Sequence, residues 1–286
     1  MGERDGTDNM DGGRDSGKGR HREPVDGWPV REAAVSRPTT RASRPPSPAN
    51  HAFFTRTVLG SVRVKGLFLV LMLMTPFAEA AQTRPAVRLP PPRTRGDVSL
   101  EEALARRRSV REYADRPIAL ADLAQLLWSA QGVTSPAGGR TAPSAGARYP
   151  LEILVVAGHV TDLPPGIYRY RPASHDLAPV ADGDRRGVLS EAAGGQASVS
   201  AAGAVLVVAA VLERTTARYG ERGVRYVHIE VGHVGQNVGL AAAAAGLGTV
   251  VVGSFDDERV ATVLGLAAEE RVFVLLPVGW PRVAER

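Results

Sequence analysis

The chain has 286 residues, with 35 Lys and Arg against 30 Asp and Glu, a net charge of +5 and no cysteine. The lack of cysteine excludes a disulfide framework, a thiolate metal site and a cysteine nucleophile. The length suits one large domain or two small ones. The excess base is arginine scattered through the first hundred residues, not a basic stripe with interleaved aromatics, which argues against nucleic acid as a partner.

Residues 1–57 are rich in Gly, Pro, Arg, Asp and Ser. Such a composition buries too little surface to offset its ordering entropy, so it predicts a disordered tail or a mis-assigned start. Residues 58–80 resemble a signal peptide. Arg63 and Lys65 precede the apolar run Leu67–Met74, which continues to Phe77, and Ala78-Glu79-Ala80 forms a small-residue cleavage site. The run is shorter than the roughly 20 residues a spanning helix needs, so the mature chain is expected to hold no stable membrane span. Leaders stand at the N-terminus, so this reading takes the true start near Val58 or Val62. It predicts an exported or periplasmic protein beginning near Ala81. A buried or anchoring helix, with a cytoplasmic location, is the alternative. Residues 81–98 read as a Pro-rich linker.

The folded domain is expected over residues 99–286. Ser99-Leu100-Glu101-Glu102 has a capping-box pattern and opens a short helix over 99–107. Leu123, Leu126, Leu127 and Ala130 give the helical period of a second helix, Leu120 to Gln131, stopped at Gly132. A loop of small residues, Ser135 to Pro150, leads to an apolar strand, Leu151 to Ala157. Gly166–Tyr170 and Asp176–Val180 read as a hairpin. Ala204–Leu212 reads as a buried strand, Arg225–Ala245 as a long helix, Gly248–Gly253 as a strand, Asp256–Leu264 as a helix and Arg271–Gly279 as a last strand. Strands and helices mix without strict alternation, which favours α+β over a doubly wound parallel sheet.

The segment Arg106-Arg107-Arg108-Ser109-Val110-Arg111 places four guanidinium groups and a hydroxyl within six residues. A guanidinium is a planar fork of donors, always charged, and suits phosphate. The same six residues also fit a solvated basic turn. Other motifs are absent: there is no GxxxxGK[ST], HExxH or GxSxG, and Gly246-Leu247-Gly248 follows a helix where a dinucleotide fingerprint would precede one. His228 and His233 lie five apart on a helix, so their side chains diverge and no metal site is expected.

Taken together, Arg107-Arg108-Ser109-Val110-Arg111, Pro143 to Pro150, Gly232-His-Val-Gly-Gln-Asn237 and Gly253-Ser-Phe-Asp256 resemble the nitroreductase family of FMN enzymes. Gly166–Tyr170 with His175–Leu177, and Arg218–His233, resemble its SagB-type branch of thiazole- and oxazole-forming dehydrogenases, which oxidise azoline rings in modified peptides. The resemblance implies an α+β sandwich with a mostly antiparallel central sheet flanked by helices, and a homodimer with FMN at its interface. It implies that Arg107, Arg108 and Ser109 bind the FMN phosphate and ribityl side, and that Arg111 reaches the N1/O2 edge of the flavin. Arg106 is left facing solvent. Pro143, Ser144, Ala145, Gly146 and Ala147 would line the flavin from the partner subunit, with Ala147 standing where many members have Asn. Val252, Gly253 and Ser254 would pass the N5 edge, and Arg282 would complete the phosphate grip. Arg218 and Tyr219 match the branch's catalytic Lys-Tyr pair, although an arginine, which is effectively always protonated, makes a poor base. The activity implied is hydride transfer through flavin N5, with NAD(P)H or an organic substrate as donor and a small molecule or modified peptide as substrate. A non-catalytic flavin-fold protein, binding or assembling a peptide substrate, is the alternative.

Overall fold

The structure is a computed structural model and describes residues 84–282. The expectations for the tail and the signal-like segment fall outside these residues. A seven-stranded sheet organises the domain. Its strands are β1 (Val87–Arg88), β2 (Leu151–Ala157), β3 (Gly166–Arg171), β4 (Asp176–Asp182), β5 (Ala204–Val211), β6 (Gly248–Thr249) and β7 (Glu270–Gly279). They run in the order β1-β4-β3-β2-β5-β7-β6, and every neighbouring pair is antiparallel.

Helices cover both faces. On one, α2 (Leu120–Gln131) and α6 (Arg222–Ala244) pack Leu123, Leu127, Val227, Val234 and Val238 against Ile153, Val155, Leu206 and Leu276. On the other, α3 (Arg186–Ala192), α4 (Ala197–Ser200) and α7 (Asp257–Leu264) pack Leu189, Val199, Val260 and Leu264 against Leu154, Val156, Val205 and Leu275. Successive strand residues point to opposite faces. With both faces covered, β5 therefore reads as an unbroken apolar run and β2 is broken only by Glu152, although such runs are commoner in parallel sheets. Two more helices complete the fold, α1 (Leu100–Arg106) and α5 (Glu213–Tyr219). Ser99 caps α1 as its pattern predicts, its Oγ accepting from Glu102 N at 3.1 Å.

Three expectations need correction. Residues 84–98 do not form a free linker. Val87 and Arg88 pair with Leu177 and Asp176, Leu89 is buried, and the Gln125 side chain grips the Arg93 backbone from both ends at 2.8 and 3.2 Å. The strand expected over Gly248–Gly253 is confined to Gly248–Thr249, and Val252 alone rejoins Leu275. The register puts Pro277 opposite Val250, and a proline has no N–H to give the ladder. The long helix begins three residues early, at Arg222, because Gly223 lets its first turn close on the Thr216 backbone, where a Cβ would stand 2.9 Å away.

The sheet also carries an ion network. Arg169 on β3 reaches across the narrow Ala209 of β5 to make two bonds to Glu270, at 2.6 and 3.0 Å, and one to Glu152 at 3.1 Å. Burial opposes the charge on Glu270, but hydrogen bonds from Arg169 and from the Ala267 N–H outweigh it and hold the carboxyl below its ordinary range. Arg169→Ala leaves two carboxylates facing one another on a half-buried surface. The expected loss is about 1.5–3 kcal/mol of stability, read as a lower denaturation midpoint in urea.

Candidate functional site

Arg107 follows α1, and the chain then runs extended along the edge of the sheet. Val110 N donates to Thr249 O at 3.0 Å, and Ser109 pairs in parallel with Thr249. Two glycines let this segment seat deeply. A Cβ on Gly248 would stand 2.6 Å from Val110, and one on Gly279 would stand 2.7 Å from the Tyr113 ring. The Tyr113 hydroxyl donates to Val110 O at 2.8 Å and Pro277 O at 3.1 Å, and burial pushes its pKa up. The segment from Ser109 to Tyr113 is thus locked at both ends.

Beside it opens a cleft of about 320 Å³, lined by Arg107, Ser109, Thr249, Val250, Val251 and one face of α6. That face carries Gly232, Gly235 and Gly239, with His228 and Gln236 beside them. Residues three and four apart share a helix face, so the three glycines form one bare strip. Gly239 admits the stem of Arg107, whose Cδ would come within 3.3 Å of an added Cβ. His228 meets the Phe273 ring edge-on at 5.0 Å. The Thr249 hydroxyl, buried at the cleft wall, has no hydrogen-bond partner among the described residues.

The other expected site residues divide. Arg108 turns back and donates to Ala105 O and Arg107 O, at 2.9 and 2.8 Å, closing the end of α1 outside the cleft lining. Arg106 pairs with Glu102 one turn back. Arg111 is exposed, and Arg282 N donates to the carbonyl of its neighbour Glu112 at 3.1 Å, which brings the late arginine to this cluster. Val252 exchanges both backbone bonds with Leu275 at 2.9 Å, so its N–H faces the sheet and leaves Gly253 and Ser254 as the exposed backbone of that stretch.

The loop from Pro143 to Ala147 lies elsewhere. It forms a single tight turn, Ala145–Ala147, in which Gly146 and Ala147 have φ of 57° and 52°, and Tyr149 follows at 46°. Left-handed backbone at Ala147 and Tyr149 is uncommon and has to be held in place. The Ser144 Oγ accepts from Tyr149 N at 2.9 Å, and its hydroxyl acts to lower the pKa of the nearby Glu230 carboxyl. Gln131 Nε2 donates to Glu230 at 3.4 Å, and Gln131 Oε1 accepts from Arg140 at 2.9 Å. Asn237 donates to Ser129 O and Thr141 O at 3.1 and 3.3 Å. Arg218 and Tyr219 also stand against this loop. A Cβ on Gly146 would collide with the Tyr219 hydroxyl and lie 3.3 Å from Arg218 Nη1.

Glu230 and Asn237 are seven residues apart on α6, and at about 100° per residue they fall on the side opposite the glycine strip. The basic cleft and the loop therefore sit on opposite faces of one helix. His228, Gln236, Thr249, Glu230 and the glycine strip were not singled out as site residues from the sequence. Only the glycines carried a readable signal, their spacing of three and four.

Residues 104–280 match the model of the Nitroreductase family. A protein of Methanocaldococcus jannaschii assigned as a nitroreductase is 46% identical over 183 residues, which cover 64% of this chain and 91% of that protein. A crystal structure from Ralstonia eutropha, also assigned as a nitroreductase, aligns with a TM-score of 0.62 at 30% identity, over 71% of this chain and 92% of that one. Another, from Anabaena variabilis, aligns with a TM-score of 0.58 at 30% identity over 64% of this chain, which spans only 38% of that protein's length. The Escherichia coli microcin synthetase complex with bound truncated precursor shares the fold, with a TM-score of 0.56 at 22% identity, over 76% of this chain and 84% of that one.

Glu230 is 2% exposed, and burial raises its pKa, against which hydrogen bonds from Ser144 and Gln131 and the charges of Arg140 and His233 act. Between its ordinary value and the raised native one, the folded protein binds more protons than the unfolded chain, so this group makes stability fall as pH rises through that window. Glu230→Gln removes the buried charge while keeping an acceptor for Ser144. The variant is expected to show a flatter pH dependence of its denaturation midpoint and to gain on the wild type above the window. Denaturation measured across pH 4 to 9 checks this.

Proposed function

Because the chain belongs to the nitroreductase family, we propose that this oxidoreductase fold uses FMN, held in the cleft between the Arg107–Arg111 segment and α6, and works as a homodimer. The residues present fit the group. Arg107 and Ser109 give charged and neutral donors at one mouth, the Thr249 hydroxyl waits unpartnered in the wall, and Gly232, Gly235 and Gly239 leave a bare face that a flat ligand can approach. This union of a phosphate grip and a glycine face in one cleft is the observation that carries the reading.

Bound there, FMN would supply hydride chemistry at N5. The chain's own residues bind and orient. Arg107 and Ser109 hold the phosphate side, joined by Arg282 and, on turning away from α1, by Arg108. Arg111 places a fixed positive charge beside the ring, which favours negative charge gained on reduction. The exposed Gly253–Ser254 backbone, its Ser254 carbonyl held by Gln196 Nε2 at 2.9 Å, would pass the reactive edge. The donor is NAD(P)H or an organic substrate.

Since the cleft and the Pro143–Ala147 loop occupy opposite faces of α6, one chain cannot close its own cleft with its own loop. A second copy can. The surface between the two faces exposes large apolar side chains among its polar ones: Ile229 on α6, Leu100 and Leu104 on α1, and Val251 at 56% exposure beside the cleft. Burying such a patch drives association. The SagB-like motifs support a peptide-modifying branch, but Arg218 in place of a lysine base favours flavin redox on a substrate that needs no strong base from that position.

Purified full-length protein is expected to be yellow, with flavin absorbance. Arg107→Ala and, separately, Gly239→Val, which displaces the Arg107 stem, should each lower FMN retention at least tenfold by equilibrium dialysis, a loss typical for a charge-assisted contact. Wild-type protein that stays colourless with added FMN would overturn the reading. Ile229→Glu should shift the sedimentation mass from dimer to monomer and release FMN with it.

Export through residues 58–80 is part of the same proposal. N-terminal sequencing of protein recovered outside the cytoplasm should begin near Ala81, and recovered protein that retains residues 58–80 would refute it.

A further inference from the structure

We propose that Arg218 and Tyr219 form the docking point for a carboxylate on the substrate, so that this enzyme acts on anionic substrates. The proposal rests on the reading of the Pro143–Ala147 loop as a wall of the flavin site. It adds what stands on that wall.

The pair is rigidly built. Helix α5 ends at Gly220, which has a φ of 57° that only a glycine adopts easily, and Gly223 packs the next turn onto Thr216. The Tyr219 ring is held edge-on by Tyr226 at 5.1 Å, and the Arg218 guanidinium lies 5.4 Å from the Tyr219 ring centre. Both polar ends meet the bare backbone of Gly146.

The two arginines of α5 differ. Arg214 is consumed by the fold: it pairs with Glu152 at 2.7 Å and donates to Tyr149 O at 3.2 Å. Arg218 is exposed and pairs with no carboxylate among the described residues. The Tyr219 hydroxyl likewise makes no hydrogen bond to another described residue. Two donors, one charged and one neutral, thus stand side by side at the loop without an acceptor. The groups around them are mostly cationic. Arg140 lies 4.3 Å from the Tyr149 ring centre, Arg148 donates to Arg214 O at 2.9 Å, and Arg222 and Arg225 are exposed on the first turns of α6. The nearby acids do not neutralise this. Glu230 is buried on hydrogen-bond partners of its own, and Glu213 and Glu221 are outnumbered. A guanidinium is a planar fork of donors with no acceptor, so its chemical use is to bind, and what it binds best is a planar oxyanion.

The test compares two near-isosteric probes, 4-nitrobenzoate, an anion, and 4-nitrobenzamide, which is neutral. Both are titrated into full-length wild type, Arg218→Ala, Arg218→Lys and Tyr219→Phe by calorimetry, with bound flavin read separately by absorbance. Wild type should favour the carboxylate, and Arg218→Ala should lose about 10- to 100-fold of that preference with FMN content unchanged. Arg218→Lys should recover part of it, and Tyr219→Phe should lose less than Arg218→Ala. Equal affinity of the wild type for both probes, or a preference that survives Arg218→Ala, would overturn the proposal. So would a loss in Arg218→Ala of NADPH preference over NADH without change in the probe pair, since the anion would then belong to the nucleotide. Charge discrimination retained by protein that binds no FMN would defeat the flavin reading and leave the anion site standing.

Discussion

The domain depends on a strip of helix that has no side chains. Helix α6 crosses one face of the sheet and buries Val227, Val234 and Val238 in the core, yet about a third of a turn away it presents Gly232, Gly235 and Gly239. Each glycine costs helix stability, roughly 0.8–1.0 kcal/mol relative to alanine. A strip of three is tolerated because the apolar face and the tertiary packing hold the helix instead. What the omission creates is space: room for the Arg107 stem and a wall along which a flat molecule can lie against backbone.

Around that space the chain is stiff where it needs to be. The arginine segment is not a loose basic turn, because Val110 and Tyr113 are seated on Gly248 and Gly279 and the Tyr113 hydroxyl ties the segment to two carbonyls. The loop on the far side of α6 is stiff by another means. Its left-handed residues are held through Ser144, which Glu230 fixes from within the core. A buried carboxylate opposes folding once ionised, and this one is retained where it orients a hydroxyl, an amide and, through the amide, Arg140.

Much of this was legible in the sequence. The period of Leu123, Leu126 and Leu127, the alternation-free run of β5, and the capping hydroxyl of Ser99 each express a local rule, and each stands in the fold as read. The α+β class followed from the order of elements. What stayed hidden depended on distance or on absence. Helices α3 and α5 are short, and their caps make no side-chain bonds that a pattern could announce. The break at Val250 arises from Pro277, a residue far along the chain. The glycines of α6 that shape the cleft stayed hidden too, since a missing side chain leaves no mark on apolar periodicity. The two-sidedness of α6 was implicit in the spacing of residues 228, 230, 232, 235, 237 and 239, but it had no meaning until the cleft and the loop were known to lie against it.

That two-sidedness limits what the site can be. A cleft on one face and a wall on the other cannot meet within one chain, so chemistry that needs both must occur between copies. In the proposed dimer, binding and selection are divided between subunits. The arginine segment of one copy would hold a phosphorylated cofactor, and the loop of the other, with Arg218 and Tyr219 above it, would face the reacting side. Each positive charge would then meet an anion of its own: phosphate at Arg107, and a carboxylate at Arg218. The arginines of the cleft and of the loop are therefore best understood as two separate sites for two anions, joined only when α6 meets its twin.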